Sequence, residues 1–270
     1  MIPHAKRLFT LTFIVLMILD SPFGFSQGER VLNATVFRVI DGDTIEISGG
    51  DRVRLLGIDA PERDDPRSGQ AARRLRELLA SGSVILETCE TRDIYGRILA
   101  TVRIERINVN RILLSEGLAL PMLIPPCGRA VAGEVLAAAA MGALSGKGIY
   151  SLEGYRIISH TEAGEHIGEH AIVKGTILDL HRGRKVWHLN FGSDWKTDFT
   201  AVLFREGQSR FRDLGIDPAA LVGSEVLIMG EVKQYNGPEI IVRGPDQVIP
   251  LEGIMKEDPR SRVQDEGLEN

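Results

Sequence analysis

Short runs rich in Val and Ile, broken at Asp41-Gly42-Asp43 and again at Gly49-Gly50-Asp51, leave residues 31 to 58 little to form except a three-stranded meander: VLNATVFRVI, TIEISG and RVRLLGI. A helix is predicted over 68 to 81, where Ala71, Leu75, Leu78 and Leu79 fall at helical spacing, with Ser68 as N-cap and Gly82 as the stop. Two further strands, SVILETCE and RILATVRI, lead to a short helix over 108 to 115 and an Ala-rich helix over roughly 129 to 145. The Gly-rich passage from Gly142 to Gly154 reads as a domain boundary. Beyond it strands return as HAIVKGTILDL, KVWHLNFG, DFTAVLF, EVLIMGEV and EIIVRG, with helical spacing over 205 to 222 between the third and fourth. Five strands interrupted there by a helix is the element order of the small barrel that binds oligonucleotides or oligosaccharides, and Gly175 and Gly230 sit mid-strand, where such a barrel bends. The expected fold class is mainly β with α, in two units, 27 to 150 and 155 to 252. The tail from 253 to 270 is charged, poor in apolar residues and expected to be disordered.

A chain of 270 residues has room for two such units. Its one long apolar run, residues 8 to 19, falls short of the roughly 20 residues a membrane-spanning helix needs, which excludes a multi-span membrane protein. That run follows Lys6 and Arg7 and precedes Pro22, Gly24 and Ser26, the layout of a signal peptide occupying residues 1 to 26. The expectation is a secreted or periplasmic protein with no stable membrane span after cleavage. An uncleaved amino-terminal anchor is the alternative. The formal net charge of −5 excludes a strongly basic coat for nucleic acid, so any grip on phosphates falls to a few placed arginines or a metal ion. Residues 31 to 150 balance fifteen basic against fifteen acidic side chains, all but one of the basic ones Arg. Residues 151 to 252 are acidic, with eleven against fifteen. Cys89 and Cys127 are the only cysteines, and in an exported protein they form either one disulfide or two separate buried thiols.

Asp41-Gly42-Asp43-Thr44 taken alone is a hairpin turn. Sixteen residues after Asp43, however, the otherwise apolar strand that begins at Arg54 ends in Asp59-Ala60-Pro61-Glu62, two carboxylates flanking a proline, and such charges are costly to bury without a partner. Pro61 holds Ala60 extended, which can aim the Ala60 carbonyl toward the Asp59 oxygens. Asp43, Asp59 and the Ala60 carbonyl then form a set of hard oxygens suited to Ca²⁺. Asp93-Ile94-Tyr95-Gly96-Arg97 opens the fifth strand, where a polar turn with a solvated arginine is the plain reading.

Together, IDGDT, RLLGIDAPE and DIYGR, in this order and at these intervals, resemble the staphylococcal nuclease (thermonuclease) family over residues 31 to 150. The resemblance implies a five-stranded OB-fold barrel with three helices, and Asp43, Asp59 and the Ala60 carbonyl as Ca²⁺ ligands. It implies Glu62 as general base, and Arg54 and Arg97 as ligands of the phosphate. It also sets Cys89 just before the DIYGR turn and Cys127 after Pro126 on neighbouring loops, which implies a disulfide. The implied activity is hydrolysis of phosphodiester bonds in DNA and RNA with little sequence preference. The chemistry is consistent: an anionic diester resists attack until cation and guanidinium groups meet the oxygens where charge grows, and planar guanidinium forks fit phosphate better than a lysine does. A barrel that binds nucleic acid or protein with little or no catalysis is the alternative.

The family's aromatic residues that cradle the nucleotide are missing from Leu118 to Pro126, so Tyr95 is left as the stacking candidate. In the second half, His166-Ile167-Gly168-Glu169-His170 spells the H-x-x-E-H pattern of inverted zinc peptidases, but Gly168 and the strand beginning at His170 argue for a polar turn. Trp187, His188, Asn190 and Trp195 form a candidate binding face on the second barrel, which resembles the extra barrel of some exported nucleases.

Overall fold

The structure, a computed structural model, describes residues 30–62, 65 and 67–251. The stretch read as a signal peptide and the tail from 253 to 270 lie outside the described residues.

The meander forms as β1 (Arg30–Val39), β2 (Thr44–Ile47) and β3 (Arg52–Leu55), paired antiparallel in sequence order. After β4 (Gly57–Asp59) and α1 (Ser68–Leu78), the chain adds β5 (Ser83–Arg92) and β6 (Ile98–Ile104). β5 pairs with β1 and with β6, and β6 pairs in parallel with β3, so the five long strands close into a barrel. Inward-facing Ile45, Val53, Leu86 and Val102 fill it, and Leu75 of α1 joins the same cluster. Ser68 is the first helical residue of α1 rather than its cap, and the helix ends at Leu78, with the turn completed by Gly82 at φ +76°.

A two-residue strand β7 (Ile107–Asn108) leads into α2 (Val109–Ser115), whose start is capped where the Asn108 side chain accepts from the Arg111 N–H at 3.1 Å. Next, β8 (Leu120–Met122) pairs with β4, setting Asp59 opposite Leu120. Helix α3 (Gly128–Ser145) then packs beside α2 and β4. Gly57 makes that approach feasible, since a Cβ there would lie 2.4 Å from Val135 of α3, and its φ of +84° also disfavours any other residue.

The second half is built on β9 (Ile157–Ser159), β10 (His170–Thr176), β11 (Asp179–Arg182), β12 (Trp187–Asn190) and β13 (Thr200–Leu203), then α4 (Arg205–Asp213), β14 (Glu225–Glu231), β15 (Lys233–Tyr235), β16 (Gly237–Ile241) and β17 (Val248–Pro250). β10 runs on into β11, the two covering the expected strand HAIVKGTILDL with a bend between them, whereas β14 covers EVLIMGEV and runs on past it into β15, which lies outside the expected strands. The pairings repeat those of the first barrel: β11 with β12, β12 with β13, β13 in parallel with β16, β16 with β15, and β14 with β10. The bends fall at 177–178 and at Val232 instead of at Gly175 and Gly230, which serve close packing. A Cβ on Gly230 would meet Ile240 at 2.7 Å.

The Gly-rich passage is no open linker. Tyr150 within it is buried in the first core, and that core continues into the second unit through Ile172, Leu227, Met229 and Ile249. A polar contact crosses the same junction: Arg210 Nη2 of α4 donates to the Leu123 carbonyl at 2.9 Å and lies 3.8 Å from Asp246 Oδ2.

Candidate active site

The turn from β1 to β2 carries Asp41, Gly42 and Asp43, and it folds so closely over Ala60 that a Cβ on Gly42 would stand 2.5 Å from the Ala60 methyl. Asp43 is thereby pressed inward and only 8% exposed. Its Oδ2 accepts from the Ala60 N–H at 2.8 Å, and its Oδ1 accepts from the Thr44 hydroxyl at 3.0 Å and lies 3.2 Å from Arg54 Nε. Burial pushes the Asp43 carboxyl up to about 6, with the Arg54 charge and the Ala60 N–H pulling the other way.

Arg54, on β3, spends its guanidinium on the protein. Besides Asp43, Nη1 donates to the carbonyls of Leu55 (3.0 Å) and Ile58 (2.6 Å), and Nη2 donates to Asp59 Oδ1 at 2.9 Å. It therefore gathers the two carboxylates while lining the cleft where the resemblance places its phosphate contact. Arg97 is the freer arginine. Its Nε donates to Asp93 Oδ2 at 2.7 Å and its Nη1 to Thr44 Oγ1 at 3.3 Å, and its guanidinium lies 5.3 Å from the centre of the Tyr95 ring. Burial raises the Asp93 carboxyl, but bonds from the backbone and side chain of Arg97 and from the Tyr95 N–H outweigh it and hold the group below the usual carboxylate range. Thr44 thus links Arg97 to Asp43, and a chain of polar contacts runs Arg97–Thr44–Asp43–Arg54–Asp59. Thr44 and Asp93 were both inside the quoted motifs; an Asp four residues before an Arg across a Gly turn is the signal that locates the second.

Asp43, Arg54, Asp59, Ala60, Glu62, Tyr95 and Arg97 all line one cleft of about 570 Å³. Glu62 is exposed there, and its carboxylate makes no hydrogen bond among the described residues. Tyr95, 76% exposed, stands at the β5–β6 turn. Opposite the turns, Met122, Ile124 and Pro125 supply an apolar wall, and Met122 Sδ lies 3.9 Å from Arg54 Nη2. A disulfide between Cys89 of β5 and Cys127, at the start of α3, ties that wall to the barrel, with Cα atoms 5.8 Å apart. Replacing both cysteines with serine is expected to lower stability by about 3–4 kcal/mol, a value that follows from closing a loop of this length. Urea denaturation of the variant checks it, and an unchanged midpoint would contradict it.

Among the described residues no three His, Cys, Asp or Glu side chains gather into a metal-binding group. The two carboxylates with the Ala60 carbonyl nevertheless fit a hard cation. Asp43 is buried at the edge of the cleft and all three donors are hard oxygens. The two histidines of the H-x-x-E-H pattern point elsewhere: His166 Nδ1 pairs with Glu169 at 2.8 Å and His170 Nδ1 with the Gly154 carbonyl at 2.7 Å.

A closed five-stranded barrel whose turns converge an arginine, a carboxylate pair and an exposed glutamate on one cleft defines a class of small nuclease-like domains. Residues 52–138 match the family described as staphylococcal nuclease homologue. The chain is 42% identical over 121 residues to the thermonuclease of Staphylococcus intermedius, covering 40% of this chain and 70% of that protein. It is also 40% identical over 102 residues to endonuclease YncB of Bacillus subtilis (34% and 48%) and 35% identical over 96 residues to the micrococcal nuclease of Shigella flexneri (31% and 55%). The chain belongs to the staphylococcal nuclease family. The chain spans about half the length of the first curated relatives it matches, and the family match at 52–138 stops short of the second unit.

Proposed function

We propose that this protein is an exported, Ca²⁺-dependent nuclease that hydrolyses phosphodiester bonds of DNA and RNA with low sequence specificity. The observation that carries the reading is the single cleft in which Arg97, Glu62 and the Asp43–Asp59 pair meet. Arg97, held by Asp93 and Thr44, presents its remaining N–H groups to a phosphate oxygen. Arg54 holds the carboxylates and adds its charge from beneath. Glu62 accepts a proton from the attacking water. Asp43, Asp59 and the Ala60 carbonyl would hold the cation, which when bound supplies positive charge to the phosphate oxygens. Low specificity follows from a cleft that grips phosphate by guanidinium and offers one exposed ring, Tyr95, on which any base can stack. The export reading is supported by the basic-then-apolar amino terminus and by the disulfide. No helix among the described residues is long and apolar enough to cross a membrane.

Purified protein is expected to degrade single-stranded and double-stranded DNA and RNA with Ca²⁺ and to stop when the ion is chelated. Arg97→Ala is expected to lose roughly 10²-fold or more of that rate, as when a stabilising donor is removed from a transition state. Ca²⁺ should also raise the melting temperature of the wild type but not of Asp43→Ala. Absence of cleavage with any divalent cation, in a protein that melts cooperatively, would overturn the proposal.

A further inference from the structure

A second cleft, of about 550 Å³, lies on the second unit. Its floor is a row of polar side chains, one from each of four neighbouring strands. The register sets Asp179 of β11 opposite Asn190 of β12, Asn190 opposite Thr200 of β13, and Thr200 opposite Glu239 of β16, so all four share one face. Two residues along the same face of β11 and β12, His181 and His188 stand with ring centres 5.9 Å apart. Trp195, from the β12–β13 loop, and Tyr235, at the turn between β15 and β16, complete the cleft and are 59% and 73% exposed. Strands two and three and the turn between strands four and five are where barrels of this topology take linear ligands.

We propose that this cleft binds a neutral saccharide chain. A pyranose ring offers an apolar face to stack on an aromatic ring and an edge of hydroxyls for a row of acceptors and donors, and Trp195, Tyr235 and the Asp179–Asn190–Thr200–Glu239 row supply both. Phosphate is disfavoured. Three arginines line the first cleft, whereas neither Lys nor Arg lines the second, and Asp179, Asp198 and Glu239 all do. A cationic ligand finds much of its place already filled. Asp198 Oδ2 accepts from the Asp194 N–H at 2.7 Å and Asn190 donates to Asp179 at 3.4 Å, while the positive charge of Lys196, whose Nζ lies 5.6 Å from the Trp195 ring centre, repels a second cation there. Burial raises the Glu239 carboxyl against the pull of Lys233, while burial and the neighbouring His181 hold the His188 imidazole down.

The test is calorimetric titration of the full-length protein with maltohexaose, cellohexaose and chitohexaose, followed in parallel by tryptophan fluorescence, with spermidine and a short oligothymidylate as comparison ligands. At least one hexasaccharide is expected to bind and to perturb the emission. Trp195→Ala and Glu239→Gln should each weaken it by roughly tenfold or more, because a ring and an edge acceptor are both used. Both side chains lie outside the nuclease cleft, so DNA cleavage by the variants should match the wild type, and failure of the nuclease reading would leave this result untouched. Three outcomes overturn the proposal: no hexasaccharide binding at about 10 mM, binding that neither substitution weakens, or spermidine or oligothymidylate binding that Trp195→Ala abolishes.

Discussion

Residues 27 to 150 produced without the rest of the chain are expected not to fold cooperatively. The first barrel closes on its own strands, and by resemblance alone it would be self-contained. Its core is not. Ile172, Leu227, Met229 and Ile249 from the second unit are buried in the same cluster as Leu113, Ala138 and Leu123 of the first. Removing those four bares the apolar surface they cover on the first unit, at about 25 cal/mol for each Å² exposed. A whole domain is stabilised by only about 5–15 kcal/mol net, so about 200–400 Å² of newly exposed core removes a large part of what the fragment has. Truncation also strips the Leu123 carbonyl of Arg210, beside the Met122–Ile124 wall of the nuclease cleft. Circular dichroism and urea titration of the fragment provide the measurement. A single cooperative transition together with Ca²⁺-dependent cleavage at the full-length rate would show that the second unit is only an attachment.

The same junction marks where the sequence stopped being legible. Within each unit, apolar runs and turn breaks set the order of the five barrel strands but not the full strand number, since RVRLLGI divides into β3 and β4 and short β7, β8, β9, β15 and β17 lie beyond the expected runs. A helix between the third and fourth strands pointed to the closure that the β3–β6 and β13–β16 pairings make. Helices α2 and α3 fall where their spacing placed them. What periodicity does not encode is which outer faces meet. Glycines from 142 to 154 resemble a linker in composition, yet Tyr150 is buried among them and a Cβ on Gly117 would strike the Lys147 carbonyl at 2.4 Å. In the cleft, the residue types were readable because each carries a charge that an apolar strand end does not need. Their division of labour was not. Arg54 and Arg97 look equivalent in sequence, and only three-dimensional neighbours show that Arg54 is tied to Asp43, Asp59 and two carbonyls whereas Arg97 is held by Asp93 and Thr44.

Glu62→Gln is expected to lower the rate of phosphodiester cleavage by about 10²–10⁴-fold while leaving the fold and Ca²⁺-dependent stabilisation intact. Among the carboxylates of the cleft, Asp43 and Asp93 are held by backbone and side-chain donors, and Asp59 by Arg54. A carboxylate so occupied is a poor proton acceptor. Glu62 differs: it follows Pro61, whose ring stiffens the backbone there, and projects exposed into the cleft with no partner among the described residues. The amide is nearly isosteric and forfeits no hydrogen bond, so stability should stay within about 0.5 kcal/mol, as at other exposed sites. What it cannot do is accept a proton from water. Single-turnover cleavage of a short single-stranded DNA at saturating Ca²⁺ isolates that step from binding and product release. A rate equal to the wild type would remove Glu62 from the chemistry and leave Arg97 and the cation to account for all of it. A loss of rate accompanied by lost Ca²⁺ stabilisation would instead make Glu62 part of the cation site, and comparison with Asp43→Ala separates the two roles.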